Sequence, residues 1–153
     1  MFLKIQKEEK YMNKICTKLK EYNILNKKIE IPMYDKDGGF IRNMLCNQTI
    51  LKDGKTIGGI TIDQSIDNII HIGHMIICKE EQKNRNGTKV IALLFCLYPK
   101  ATNIKALPTE NSFSFPDSIG FWRKMGNENN HTGEIEITRE EFIKLIESLY
   151  ENH

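Results

Sequence analysis

The chain has almost no surplus charge of either sign. Its 153 residues hold 22 Lys and Arg against 20 Asp and Glu, a net charge of +2. A duplex nucleic-acid binder ordinarily shows a larger basic excess or a basic stripe. Here the lysines come in short pairs such as Lys27-Lys28, and no nucleic-acid partner is expected. Cysteine pairs at metal-ligand spacing are also missing. Cys16, Cys46, Cys78 and Cys96 stand apart, with no CxxC and no histidine at zinc-ligand distance, so no metal site is expected. Cys78 and Cys96 lie inside apolar runs. Free, buried thiols in a reducing compartment are the expectation. No apolar run has the length that spans a bilayer. The start, Met1 to Glu9, turns charged too soon for a secretory signal. A cytoplasmic protein with no membrane partner is therefore expected. Internal repeats, linkers and low-complexity segments are absent, so residues 1–153 read as one domain.

What the chain does have is enough apolar residue, 40%, for a real core. Its most informative stretch is Ile69 to Cys78, apolar but for His71, Gly73 and His74. Such a run reads as a strand in the middle of a sheet. A short polar loop follows, with Lys83, Arg85 and Lys89 around small or amide residues, and an apolar helix opens at Gly87-Thr88. A helix N-terminus collects unpaired N–H groups and the positive end of the helix dipole. With flanking cations, that combination suits a phosphate-bearing ligand.

The other elements follow from pattern. Tyr11, Ile15, Leu19 and Tyr22 recur at helical spacing and predict a helix from Glu8 to about Leu25. Lys27 to Phe40, with Pro32, Asp35, Asp37 and Gly38-Gly39, reads as irregular. Two strands are expected at about Ile41–Leu51 and Thr56–Ile62, joined by the hairpin signal Asp53-Gly54. Ile104–Leu107 is a short strand, Pro116 starts a helix that stops at Gly126, and Glu134–Ile137 is another short strand. Thr138 with Glu141 makes a capping box, and Ile137 with Phe142 a hydrophobic staple, ahead of a last amphipathic helix. The expected fold class is mixed α/β: a central mixed sheet, antiparallel in its first half, with helices on both faces and an extra C-terminal helix.

Met75-Ile76-Ile77 followed by Gln82-Lys83-Asn84-Arg85-Asn86-Gly87, and downstream Phe121-Trp122-Arg123-Lys124-Met125-Gly126, carry a resemblance. The chain resembles the GNAT-type N-acetyltransferase superfamily over roughly residues 41–126. That family's phosphate loop reads Gln/Arg-x-x-Gly-x-Gly/Ala, and its later motif Phe-Tyr-x-Lys-x-Gly-Phe. Arg85 replaces the first loop glycine, Trp122 the tyrosine and Asn127 the last phenylalanine.

The resemblance implies splayed strands at an acyl-CoA cleft and transfer of an acetyl group from acetyl-CoA to a primary amine. The acceptor would be an amine-bearing small molecule or protein, and the assembly a monomer or homodimer. The alternative is a non-catalytic module of this fold that binds acyl-CoA or a partner protein. Pantetheine would meet the backbone of Met75, Ile76 and Ile77. The pyrophosphate would meet Gln82, Lys83, Asn84, Arg85, Asn86, Gly87 and Thr88, with the Thr88 hydroxyl helping. Trp122 would line the cofactor site. An oxyanion donor would be an N–H near Ile77 or Cys78.

In the family that the chain resembles, the general base is often a Glu or His four residues before the apolar step; here that position is His71, whose unperturbed pKa of about 6.5 suits the task. A structural histidine is the competing reading. In a regular strand His71, Gly73, Met75 and Ile77 share one face and His74 takes the other. Tyr34 and Asp35, with Asp37, could attract the cationic amine, or simply form a turn. Ser112 and Ser114 are weak candidates for the acid that protonates the leaving thiolate.

Overall fold

The structure, a computed structural model, describes residues 2–151 apart from 36, 67 and 109–117. Helix α1 (Phe2–Thr17) leads into β1 (Tyr22–Leu25), β2 (Ile29–Tyr34), β3 (Phe40–Cys46), β4 (Gln48–Lys52), β5 (Lys55–Ile66) and β6 (Ile69–Ile77). A 3-10 helix (Lys79–Asn84) precedes α2 (Asn86–Leu97) and β7 (Asn103–Ala106). Helix α3 (Ser118–Met125), β8 (Asn127–Glu128), β9 (Ile135–Thr138) and α4 (Arg139–Glu151) complete the chain. The main sheet has seven strands in the order β1-β4-β5-β6-β7-β9-β8, and β2 and β3 form a separate two-stranded sheet.

The central strand lies where the two-sided apolar run places it. β6 pairs antiparallel with β5 and parallel with β7. The β6/β7 pairing runs from Ile69↔Asn103 to Ile72↔Ala106, so among the described residues the last five of β6 have no partner strand on that side. The parallel connection passes through α2, as a crossover must. The sheet is mixed, antiparallel in its first half and splayed at β6/β7, with a C-terminal helix.

The strand register sorts the sheet into two unlike faces. Ile50, Ile60, Ile70, Ile72, Ile104, Ala106, Ile135 and Ile137 share one face and are buried in a single core. All four helices feed that core, with Ile15 from α1, Phe95 from α2, Trp122 from α3 and Phe142 from α4. The other face carries Thr49, Thr61, Asp63, His71, Lys105 and Glu136. Its apolar cover is the β2–β3 hairpin, whose Ile31, Met33 and Cys46 bury Ile76. Among the described residues, then, helices cover one face and a hairpin the other, where helices on both faces were expected. The physical reason is in that face: its polar cross-strand rows leave only Ile76 and its neighbours for an apolar cover.

Four further expectations are corrected. α1 stops at Thr17, whose hydroxyl bonds back to the Asn13 carbonyl at 2.9 Å. The helical spacing runs on through a turn, and Tyr22 to Leu25 pair with β4 instead. Residues 29–34 are a strand rather than irregular; Ile31 and Met33 alternate with exposed Glu30 and Pro32, and Pro32 is tolerated because β2 pairs only with β3. The single strand expected at 41–51 breaks at Asn47, where the chain passes from one sheet to the other. Cys16 and Cys96 are joined in a disulfide that ties α1 to α2; only Cys46 and Cys78 are free. The amphipathic α1 packs against the apolar α2 and brings their half-buried cysteines together, a juxtaposition that separation in sequence hides.

Other local signals fold as read. Asp53 and Gly54 both take positive φ, at 52° and 78°, as a two-residue hairpin turn requires. Thr138 Oγ1 accepts the Glu141 N–H at 3.2 Å, but the Glu141 carboxylate accepts from Asn127 Nδ2 at 2.8 Å. The capping box is therefore half made.

Candidate functional site

Three features meet at the open end of β6. The first is the unpaired edge itself. The Cys78 N–H donates to the Ile57 carbonyl at 2.7 Å. In an antiparallel pair that pattern turns the N–H and C=O of the intervening Ile77 away from β5, toward the splay, and alternation gives Met75 the same direction. Gln82 Nε2 donates to the Ile77 carbonyl at 2.9 Å, which leaves the Ile77 N–H facing the gap among the described residues. The Cys78 N–H is committed elsewhere.

The second feature is the turn into α2. Arg85 sits in the left-handed region at φ 56°, ψ 27°. A side chain there is strained relative to glycine. This is the position where the resemblance has glycine. The Lys89 N–H makes the first helical bond, to the Arg85 carbonyl at 3.1 Å. The N–H groups of Asn86, Gly87 and Thr88 precede it, and no side chain caps this end. Asn86 is fully buried: its Nδ2 donates to the Glu81 carbonyl at 2.7 Å, and its Oδ1 accepts from the Tyr22 hydroxyl. Its side chain pins the turn to β1. The Arg85 guanidinium is exposed, and no described residue pairs with it. Lys89 stands over the Tyr22 ring, 6.0 Å from its centroid. Glu81 is engaged by Lys55 at 3.3 Å. The side chains of Lys83 and Asn84 lie outside the described residues. The Thr88 hydroxyl is turned to Met125 Sδ at 3.9 Å, so its backbone rather than its side chain looks toward the turn.

The third feature is α3. A Cβ on Gly87 would lie 3.0 Å from Phe121 Cζ, so the two motifs separated by more than thirty residues touch in space. Trp122 is buried in the core, edge-on to Phe121 at 5.2 Å. The aromatic beside the turn is Phe121, which motif reading passed over in favour of Trp122. Ser112 and Ser114, and Pro116, the expected helix start, lie outside the described residues.

On the hairpin face the strand is not regular. Thr61 pairs with His74 and Ile62 with Ile72, so Gly73 is an extra residue, a β-bulge. The phase of the strand flips there. His71 and His74 consequently share one face, opposite Asp63 and Thr61, while Met75 and Ile77 join the helix face. This corrects the alternation expected for a regular strand. The His74 Nε2 lies 2.8 Å from the Leu45 carbonyl and 3.0 Å from Thr61 Oγ1. A carbonyl only accepts, so Nε2 carries the proton, and His74 clamps β3 to the sheet. His71 is half-buried, between Asp63 on β5 and Lys105 on β7.

Tyr34 and Asp35 stand at the hairpin tip. Asp35 Oδ1 accepts from the Asp37 N–H at 2.9 Å and the Gly39 N–H at 2.7 Å. Its carboxylate thus holds the turn, and Tyr34 stacks edge-on against Phe40 at 6.1 Å. The free thiols are poor nucleophiles. Burial pushes Cys46 up to about 11, and burial, then Glu80, raises Cys78. Among the described residues no group of three or more His, Cys, Asp or Glu could hold a metal ion, and no helix is long and apolar enough to cross a membrane. A separate cavity of about 320 Å³, lined by Asn68, Ile70, Leu97, Tyr98 and Lys100 among others, lies by the opposite end of β6.

The splay is the feature that the GNAT resemblance implied for the fold, and the central strand lies where its two-sided apolar run places it. No protein-family model matches the chain, and no curated protein does. Solved structures do. PaiA N-acetyltransferase from Thermoplasma acidophilum, in complex with coenzyme A, is 13% identical with a TM-score of 0.47, over 60% of this chain and 58% of that one. Tetrahymena GCN5 is 17% identical with a TM-score of 0.45, over 60% and 66%. N-acetylglutamate synthase from Neisseria gonorrhoeae, complexed with coenzyme A and N-acetyl-glutamate, is 14% identical with a TM-score of 0.40, over 69% and 23%. The chain covers less than two thirds of each of these three proteins.

Proposed function

We propose that the protein is an N-acyltransferase that moves an acetyl group from acetyl-CoA to a primary amine by direct attack. The single observation that supports this most is the convergence at one end of β6. Among the described residues, free N–H groups at Met75, nearer His71, and at Ile77 line the splay, and those of Asn86, Gly87 and Thr88 follow an exposed Arg85. The donor set suits a thioester carbonyl at one end and a pyrophosphate at the other. Coenzyme A supplies a good leaving group. Backbone at Met75 and Ile77 would align the pantetheine, and residues 82–88 would hold the pyrophosphate.

His71 takes the proton that the acceptor amine must lose, through water, since Met75 stands four strand residues further on. A primary amine is mostly ammonium at neutral pH, and imidazole titrates in the range where it can accept that proton. Thiol release with a panel of amines tests the reading. His71→Ala should keep acetyl-CoA affinity and lose about 10²–10⁴-fold in turnover. Turnover at the native rate from about pH 6 to 9 would remove His71 from the mechanism.

One observation favours the second reading, an acyl-CoA-binding module without turnover. Trp122 is buried and has no phenol to donate. A thermal shift with acetyl-CoA, without thiol release from any amine, would select it.

A further inference from the structure

Across the hairpin face, one cross-strand row reads Asp63, His71, Lys105, Glu136. Its single permanent cation is already engaged: Lys105 Nζ lies 3.6 Å from a Glu136 oxygen and 3.9 Å from a Glu134 oxygen. At the other end, the Asp63 carboxylate is exposed, and no described residue donates to it or pairs with it. It lies against the bulge, because a Cβ on Gly73 would stand 3.4 Å from Asp63 Oδ2. A side chain at position 73 would lie in ordinary contact with the carboxylate, and glycine leaves that side of it open. Directly opposed residues in an antiparallel pair hold their Cβ atoms within about 5.5 Å. A small cation on Asp63 is thus a near neighbour of the His71 ring.

The geometry points to Asp63 as the residue that selects a cationic acceptor. We propose that its carboxylate binds the ammonium form of the incoming amine and delivers it beside His71. This rests on the acyltransfer reading above and names its substrate class: amines of net positive charge, in preference to amino acids, whose own carboxylate would meet Asp63. The chemistry balances simply. The ammonium gives one proton to the imidazole, keeps its electron pair, and becomes the nucleophile. Asp63 forms and breaks no covalent bond. Asp35, the acid that sequence favours for this role, is taken by the hairpin turn.

The test is calorimetric titration of butylamine, 1,4-diaminobutane and glycine into the native protein, Asp63→Asn and Asp63→Glu, each with and without saturating coenzyme A. Coenzyme A in place of acetyl-CoA prevents turnover, so binding is read alone. The expected result is roughly tenfold weaker binding of both cationic amines by Asp63→Asn, most of it restored in Asp63→Glu, with glycine little changed. Unfolding midpoints should stay within those of the native protein, since Asp63 is exposed. Equal amine affinity in native and Asp63→Asn would overturn the assignment while leaving acyltransfer intact. The same holds if the native protein binds glycine as well as butylamine. If coenzyme A fails to bind at all, the acyltransfer reading fails, and the titrations without coenzyme still decide Asp63. No amine binding by the native protein at millimolar concentration rejects the assignment in either case.

Discussion

The two faces of the main sheet are built from the same strands and differ in almost everything else. The helix face is continuous apolar packing, from Ile50 through Ile70 to Ile137, closed by Phe95 and Phe142 at 5.4 Å between ring centroids. The hairpin face is a polar row with one apolar island under Ile31, Met33 and Cys46. A strand of strict period two sends alternate side chains to each face. β6 cannot serve both faces over its whole length that way, because His71 and His74 are three apart. The bulge at Gly73 solves this, placing both histidines on the polar face and returning Met75 and Ile77 to the core. One inserted residue thus decides which face receives chemistry and which receives packing.

Inserting one residue between Thr61 and Ile62, opposite Gly73, attacks this arrangement most directly. With Gly73 given a partner both strands would alternate regularly, turning Thr61 and His74 into the helix core and Ile60 and Met75 out of it. The cost should approach the whole stability of a small domain, on the order of 5 kcal/mol or more. Urea denaturation should show no cooperative transition; a native-like transition would mean that the bulge is not needed.

Next in size is the contrast between faces. Phe95→Ala should cost about 3–5 kcal/mol, whereas Lys105→Gln should stay within about 0.5 kcal/mol. Lys105 is partly exposed and its two partners more so. Similar shifts in the two unfolding midpoints would contradict the division.

The sequence shows the helix face well and the hairpin face poorly, for a physical reason. Apolar periodicity reports burial, so the run at 69–78, the α2 stripe and the Thr138 cap were all legible. A bulge has no apolar signature. Gly73 reads as one more small residue in a strand, and its phase flip exists only in register with Thr61 and Ile62. The β2 strand was masked by Pro32 and by the turn residues that follow it. Asp35 looked free because its N–H partners at Asp37 and Gly39 are backbone. Asp63 carried no signal at all, since its neighbours on the face come from another strand. The phosphate turn was legible by motif, but not Phe121 over Gly87, which needs the return of α3.

Gly87 sharpens the site. Its Cβ would meet the Phe121 ring, so Gly87→Ala should cost roughly 1 kcal/mol through crowding alone. Gly87→Ala with Phe121→Leu separates the effects. Stability should recover in part, while acetyl-CoA affinity, measured by calorimetry, should stay below native if backbone must approach phosphate there. Full recovery of affinity would assign the whole effect to the ring.

The smallest effect concerns the thiols beside the hairpin. Both folded thiols have raised pKa values, Cys46 near 11. At pH 8 iodoacetamide should label the folded protein far more slowly than the unfolded chain, and Cys78 ahead of Cys46. The sign for stability follows. A thiol whose folded pKa is raised stabilises fully below its unfolded value near 9, and that contribution is lost as pH climbs toward 11. Rapid labelling of Cys46 at pH 8 would mean that the hairpin lifts off the sheet.

The central claim is that coenzyme A chemistry belongs to the open end of β6. Amide resonances followed by ¹⁵N NMR during an acetyl-CoA titration test it most directly. The account predicts saturable shifts at Ile77, Asn86, Gly87 and Thr88, weakened by added salt, with Asn68 and Lys100 at the opposite end unmoved. Shifts confined to the cavity around Asn68, Tyr98 and Lys100, or none at millimolar acetyl-CoA, would contradict it.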